Sequence, residues 1–276
     1  MVNLKFIHFF NSDLMDTKWP FFISNSLFLG IFYMLLSLKR FDWALQYSLL
    51  GFLLMVFFVF MWFREMFLES AIFGKYNRKV RGALTYGFLL FIVSECFFFG
   101  GFFWAYFDRF FHPVVYLGNS SLPYGIQSVF ESKKSFVATL LLVSSGVFLN
   151  YGVYLTRLGS WIYSYILYFI ATLEGVLFLC IQYYEYNKVL LFNITESVYS
   201  SSFYLLTGFH GFHVIVGLIF LLTSLSLFHY RYFFSKERTM LLMISVFYWH
   251  FVDIIWIFLY LTVYVWNFNL AYYQLH

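Results

Sequence analysis

Residues 83–107 read ALTYGFLLFIVSECFFFGGFFWAYF, a stretch in which Glu95 is the sole charged side chain. A hydrocarbon layer about 30 Å thick is crossed by about 20 apolar residues in helical conformation. This stretch exceeds that length, so it spans with tilt or with protruding ends. The same pattern recurs along the chain. Apolar runs predict six further spans, from about Trp19 to Leu38, Trp43 to Phe63, Phe136 to Leu155, Trp161 to Tyr184, Tyr199 to Phe228 and Leu241 to Trp266. The fourth and fifth spans are parted by a short break, Thr156 to Ser160. The fold class read from this pattern is an all-α membrane protein of seven transmembrane helices.

Composition agrees. Of 276 residues, 62% are hydrophobic and 27% aromatic, and 11% are charged, against about a quarter charged in soluble domains. Such a chain has too much apolar surface for one water-soluble globule, and disorder and nucleic-acid binding are excluded as readings. Cys96 and Cys180 sit inside apolar runs and read as small buried hydrophobes, not as a disulfide pair. Met1 to Lys18 contains Asp13 and Asp16 and no Arg, unlike a basic transit peptide. Seven spans put the termini on opposite sides, and most Lys and Arg residues, among them the cluster Lys75, Arg78, Lys79 and Arg81, fall on the N-terminal side. The positive-inside rule therefore places the N-terminus inside. The most polar break divides the chain into an N-terminal two-helix unit over 1–70, a polar connection over 71–82 and a five-helix bundle over 83–276. No internal repeat supports an inverted-repeat transporter. Asn119-Ser120-Ser121 and Asn193-Ile194-Thr195 match the glycosylation sequon, a motif that matters only if that side is a secretory lumen.

Three acids fall within spans: Glu95, Glu174 and Asp253. Charge in hydrocarbon is costly, and intramembrane acids are functional suspects. Phe98, Phe99 and Phe102 share a helix face with Glu95. It is either a proton-exchanging or lipid-facing acid, or a neutral acid hydrogen-bonded between helices. His250 and Asp253, three residues apart, share a face. They orient an imidazole for chemistry, or they neutralise each other and tie helices together. His210 and His213 in TGFHGFH over 207–213 are likewise i,i+3. They converge on a metal or haem if other ligands join them, and otherwise are packing imidazoles, with Gly208 and Gly211 permitting close helix approach. The remaining His residues are scattered and no Cys pair is available, so no metal site is expected. Arg64, Glu65 and Glu69 end the second span, and with Lys75 to Arg81 they form either a site for anionic lipid headgroups or an ordinary interfacial anchor.

Taken in order, WFREMFLES over 62–70, FIVSE over 91–95, FFWA over 102–105, Gln182 with Glu185-Tyr186, Val198-Tyr199, the segment Thr207 to Val214, and YWHFVD over 248–253 with Trp256 and Phe258-Leu259-Tyr260 resemble one family. That family is subunit III of the haem–copper cytochrome c oxidases, and the resemblance runs from Trp19 to Trp266. It implies two helices and five helices splayed in a V, with phospholipid in the cleft. It implies no cofactor on this chain, haem and copper lying in partner subunits, with packing on subunit 1 and support of oxygen reduction by cytochrome c coupled to proton pumping. It assigns Glu95 to an intramembrane proton-exchange candidate. Arg64, Glu69 and Trp104 match lipid-contacting positions, and Lys75 and Arg231 are further cations for that role. His210, His213, His250 and Asp253 match a structural polar network. The sequence departs from the family pattern at Leu68, Lys75-Tyr76, Asp108, Leu227, Met243 and Glu174, which bears on lipid-headgroup chemistry more than on fold. The Phe and Tyr excess suits a mitochondrially encoded chain, which implies the inner membrane with the N-terminus on the matrix side. The alternatives are a quinol oxidase subunit III, against which the first two spans argue, and an independent polytopic transporter.

Overall fold

The computed structural model describes residues 17–71, 78–112, 133–190, 192–229 and 240–266. Among these residues there are helices and no strands. The helices are α1 Trp19–Leu38, α2 Ala44–Ala71, α3 Arg78–Phe111, α4 Lys133–Leu158, α5 Trp161–Tyr184, α6 Val198–His229 and α7 Met240–Leu259. Wider π-helical turns follow α5 at Glu185–Val189 and α7 at Tyr260–Trp266. All seven helices are long and apolar enough to cross a membrane. Helices α1 and α5 coincide with the apolar runs, whereas α2, α3 and α4 continue into polar flanks. Hydrogen bonding, not hydropathy, sets where a helix stops.

Two compact units divide the chain, Met1–Ala83 and Leu84–His276. The first holds the α1–α2 hairpin. Pro20 occupies the first turn of α1, where its missing N–H costs nothing. Helix α1 ends in a Schellman arrangement: Phe41 N–H donates to Leu36 O at 3.3 Å and Arg40 N–H to Ser37 O at 2.9 Å. Arg40 takes the left-handed conformation that glycine usually fills there, with φ 66°. The seam of the hairpin is built of small residues. Ser26 and Gly30 on α1 and Ala44, Ser48 and Gly51 on α2 are buried, while most larger side chains point outward. A Cβ on Gly51 would stand 2.6 Å from Gly30 N. The two backbones touch, as small residues at helix seams allow in lipid.

In the second unit α7 is the central helix, and its two tryptophans explain why. Trp249 is fully buried, and its indole fills the space left by Gly175 on α5 and Gly217 on α6. Its N–H donates to Ser145 Oγ on α4 at 2.8 Å. One turn-pair further, Trp256 donates to Thr139 Oγ1 on α4 at 3.0 Å, meets Phe178 of α5 edge-on and stacks on His210 of α6. Each ring thus joins four helices, with its polar edge satisfied as burial requires. Helix α3 joins α6 and α7 chiefly through rings: Phe98 and Phe102 on Phe209, Phe99 on Phe251, Phe103 on Phe258. The tight contacts lie at Gly146, Gly152, Gly175 and Gly217, and a Cβ on Gly208 or Gly211 would meet no described atom within 4 Å. Close helix approach therefore uses other glycines than the pair in the TGFHGFH segment.

Candidate functional site

Glu95 lies mid-way along α3 on the face turned to α6. Its Oε2 is 3.0 Å from Nε2 of His213. The other ring nitrogen, Nδ1, is 2.7 Å from the carbonyl oxygen of Phe209, one turn earlier on α6. A carbonyl can only accept, so Nδ1 carries a hydrogen. The short Nε2–Oε2 contact then holds one proton, either on the carboxyl facing a bare Nε2 or on an imidazolium facing a carboxylate. Both arrangements are neutral as a pair, which is how an acid is tolerated at this depth. The environment is aromatic: Phe99 meets the imidazole edge-on at 5.0 Å, and Phe251 and Tyr248 flank it. The His213 side chain is 8% exposed and that of Glu95 22%. The imidazole is the buried end of the bridge and the carboxyl its outward end.

The other expected residues separate into different contacts. His210 is buried against Trp256 and Phe178, and neither ring nitrogen has a hydrogen-bond partner among the described residues. His250 Nε2–H donates to Asn150 Oδ1 on α4 at 2.9 Å, which leaves Nδ1 facing Asp253 Oδ2 at 3.7 Å. Asp253 is buried, and Gly146 makes the room for it, since a Cβ there would stand 2.7 Å from Oδ2. With Ser145 and Thr139 bonded to the two tryptophans, one face of α4 supplies Thr139, Ser145, Gly146 and Asn150 to α7. Arg64 is exposed and Glu69 buried near the end of α2, and Trp104 is 76% exposed on α3. Lys75 and Arg231 lie outside the described residues. Among the described residues no group of His, Cys, Asp and Glu side chains is disposed to hold a metal ion.

One polar cluster escaped the reading of the sequence. Glu185 was placed beyond the fifth span, yet the π-helical turn carries it back into the core, where it is 3% exposed. Gln182 Nε2 donates to its Oε2 at 3.4 Å, and Tyr264 lies beside both. Next to them Thr207 donates to Phe203 O, so the Tyr186 hydroxyl donates to Thr207 at 2.6 Å. The signal for Glu185 was an acid spaced i,i+3 from a Gln at a span end. Glu174, one of the three acids expected within spans, lies on α5 and accepts from Ser144 of α4 at 3.1 Å.

Comparison with known proteins sets these contacts in a family. The sequence profile described as Cytochrome c oxidase subunit III matches residues 8–268. Cytochrome c oxidase subunit 3 of Schizophyllum commune is 34% identical over 97% of this chain and 99% of its own length. The Anopheles gambiae protein of the same name is 36% identical over 82% of this chain and 87% of its own, and that of Arabidopsis thaliana 35% identical over 86% and 88%. With seven spanning helices, a profile match along nearly its whole length and relatives above 30% identity from fungus, insect and plant, the chain belongs to the cytochrome c oxidase subunit III family.

Proposed function

We propose that the chain is a core subunit of the terminal respiratory oxidase, cytochrome c oxidase, and that it carries no redox centre itself. The observation that carries this reading is the family match over residues 8–268. The relatives are named as cytochrome c oxidase subunits, which favours cytochrome c over quinol as the electron donor of the complex. Two of the three candidate imidazoles are engaged within the chain, and among the described residues His210 stands alone between Trp256 and Phe178. His213 spends both ring nitrogens on Glu95 and Phe209, and His250 faces Asn150 and Asp253. Haem and copper belong to partner subunits in this reading. The chain packs on subunit 1 and lies in the mitochondrial inner membrane with its N-terminus on the matrix side.

The remaining roles follow the same reading. The two-helix unit over 1–70 and the five-helix bundle over 83–276 are joined by the polar connection over 71–82, a division supported by the compact units meeting at Ala83. Arg64, Glu69, Trp104, Lys75 and Arg231 hold phospholipid, supported by an exposed guanidinium at the end of a spanning helix and an exposed indole on α3. Glu95 exchanges a proton locally with His213, supported by their short contact. His210, His213, His250 and Asp253 serve structure. The test is metal analysis of the chain after separation from its complex in folded form. The reading predicts no stoichiometric copper, iron or zinc, and a stoichiometric metal would overturn it.

A further inference from the structure

Helices α4 and α5 form a hairpin whose outward seam is a groove of about 450 Å³. Leu141 of α4 and Leu177 of α5 line it, with Tyr184 towards its mouth. The Lys134 ammonium sits over the Tyr184 ring, 3.6 Å from its centre. A second, more polar hollow shares Tyr184 and adds Asn187 and Lys188. Both lysines stand where α4 begins and the α5 π-turn ends, on the membrane side opposite the N-terminus. One turn deeper along the same seam, the Ser144–Glu174 hydrogen bond ties α4 to α5. From Lys134 to Ser144 is ten residues, about 15 Å of helix. That is half of a hydrocarbon core about 30 Å thick, which is the depth of one leaflet.

We infer that this groove is a binding site for an anionic phospholipid, with an acyl chain along Leu141 and Leu177 and the phosphate between Lys134 and Lys188. The charge at the mouth selects the headgroup: two ammonium groups and an amide face it, and Glu185 of the adjoining turn is turned into the core. The groove is lined no deeper than Leu141 and Leu177, within one leaflet, which is the reach of an acyl chain below a headgroup held at the lysines. Phosphate oxygens accept from both lysines and from the Asn187 amide. The Tyr184 ring is the platform that keeps Lys134 at the groove instead of free in water. This site rests on the membrane-spanning reading of the hairpin and is independent of the Arg64 site.

Cys96 and Cys180 are exposed, not buried as their apolar runs suggested, so Cys180, which borders both hollows, is a built-in reporter and Cys96 on α3 the reference thiol. The experiment follows alkylation of both thiols by a membrane-permeant maleimide in the intact oxidase, read by peptide mass spectrometry. Delipidation with phospholipase and detergent is expected to speed alkylation of Cys180 about tenfold, and phosphatidylglycerol vesicles to restore protection where phosphatidylcholine vesicles do not. The double variant Lys134→Glu with Lys188→Glu should be unprotected in native membranes, while Arg64→Glu should leave Cys180 protected. Protection that survives delipidation would mean that a protein partner covers the groove, and equal protection by phosphatidylcholine would mean that the lysines select no headgroup. Either result overturns the site. The wild-type arms decide the matter even where the double variant fails to assemble.

Discussion

The Glu95–His213 contact fixes how many protons two residues share without fixing on which of them the proton rests. Because Phe209 O holds the hydrogen on Nδ1, the Nε2 side needs one proton between two heavy atoms 3.0 Å apart. Glu95→Gln keeps that bond, since the amide donates to a bare Nε2. We expect assembly and oxygen reduction to remain near wild type. Glu95→Leu strands Nε2 in an aromatic pocket, at a cost of about 1–3 kcal/mol. Thermal unfolding of the purified complex should therefore rank wild type and Glu95→Gln together and Glu95→Leu below them. Loss of turnover in a fully assembled Glu95→Gln complex would make the acid an obligatory proton carrier and contradict the accessory role. The sequence marked Glu95 and His213 separately, by the rarity of charge in a span and by the TGFHGFH segment. It could not pair them, because helical periodicity tells which face a residue occupies and not which helix stands opposite, here 118 residues away. Glu185 was missed for a related reason. A count of apolar residues ends the fifth span where Glu185, Asn187 and Lys188 crowd together, whereas the backbone continued into a π-turn and buried the acid of that run.

Between elements, glycine position decides where helices touch. The expectation for Gly208 and Gly211 came from their i,i+3 spacing, but that spacing says only that they share a face, and a Cβ on either would meet no described atom within 4 Å. Gly175 is different: a Cβ there would lie 2.6 Å from Trp249 Cη2. Gly175→Ala should destabilise the five-helix unit by about 1–3 kcal/mol or more, through a ring pinned by its bond to Ser145. Gly208→Ala should be close to neutral in the same unfolding assay, so equal damage from both would refute the packing described for Trp249. In the N-terminal hairpin, Gly51→Leu should force the α1 and α2 backbones apart, because Gly30 N is the nearest atom. Faster proteolysis at the Lys39–Asp42 connection and a smaller assembled fraction on native gels are the readouts. The helices themselves were legible because apolar runs in lipid have few alternatives to helix. Their ends were less so, since α3 begins at Arg78, inside a charged cluster that composition assigns to a connection.

At the scale of the molecule, seven helices among the described residues are long and apolar enough to cross a membrane. Four polar pairs bridge helices in the large unit: Glu95 with His213, Ser144 with Glu174, Trp249 with Ser145, Trp256 with Thr139. Each pair removes a donor or acceptor from hydrocarbon, which is what a bundle in lipid requires of its polar residues. None of these pairs gathers the several imidazole, thiolate or carboxylate ligands of a redox metal. The central claim is that this chain is a cofactor-free subunit of an oxidase whose haem and copper lie elsewhere. Its most direct test is the optical spectrum of the complex captured from native membranes through a tag on this chain. Haem a absorption should co-purify with the chain and stay with the partner subunits when the chain is dissociated. A captured complex without haem a absorption, or a haem or copper signal that follows the dissociated chain, would contradict it.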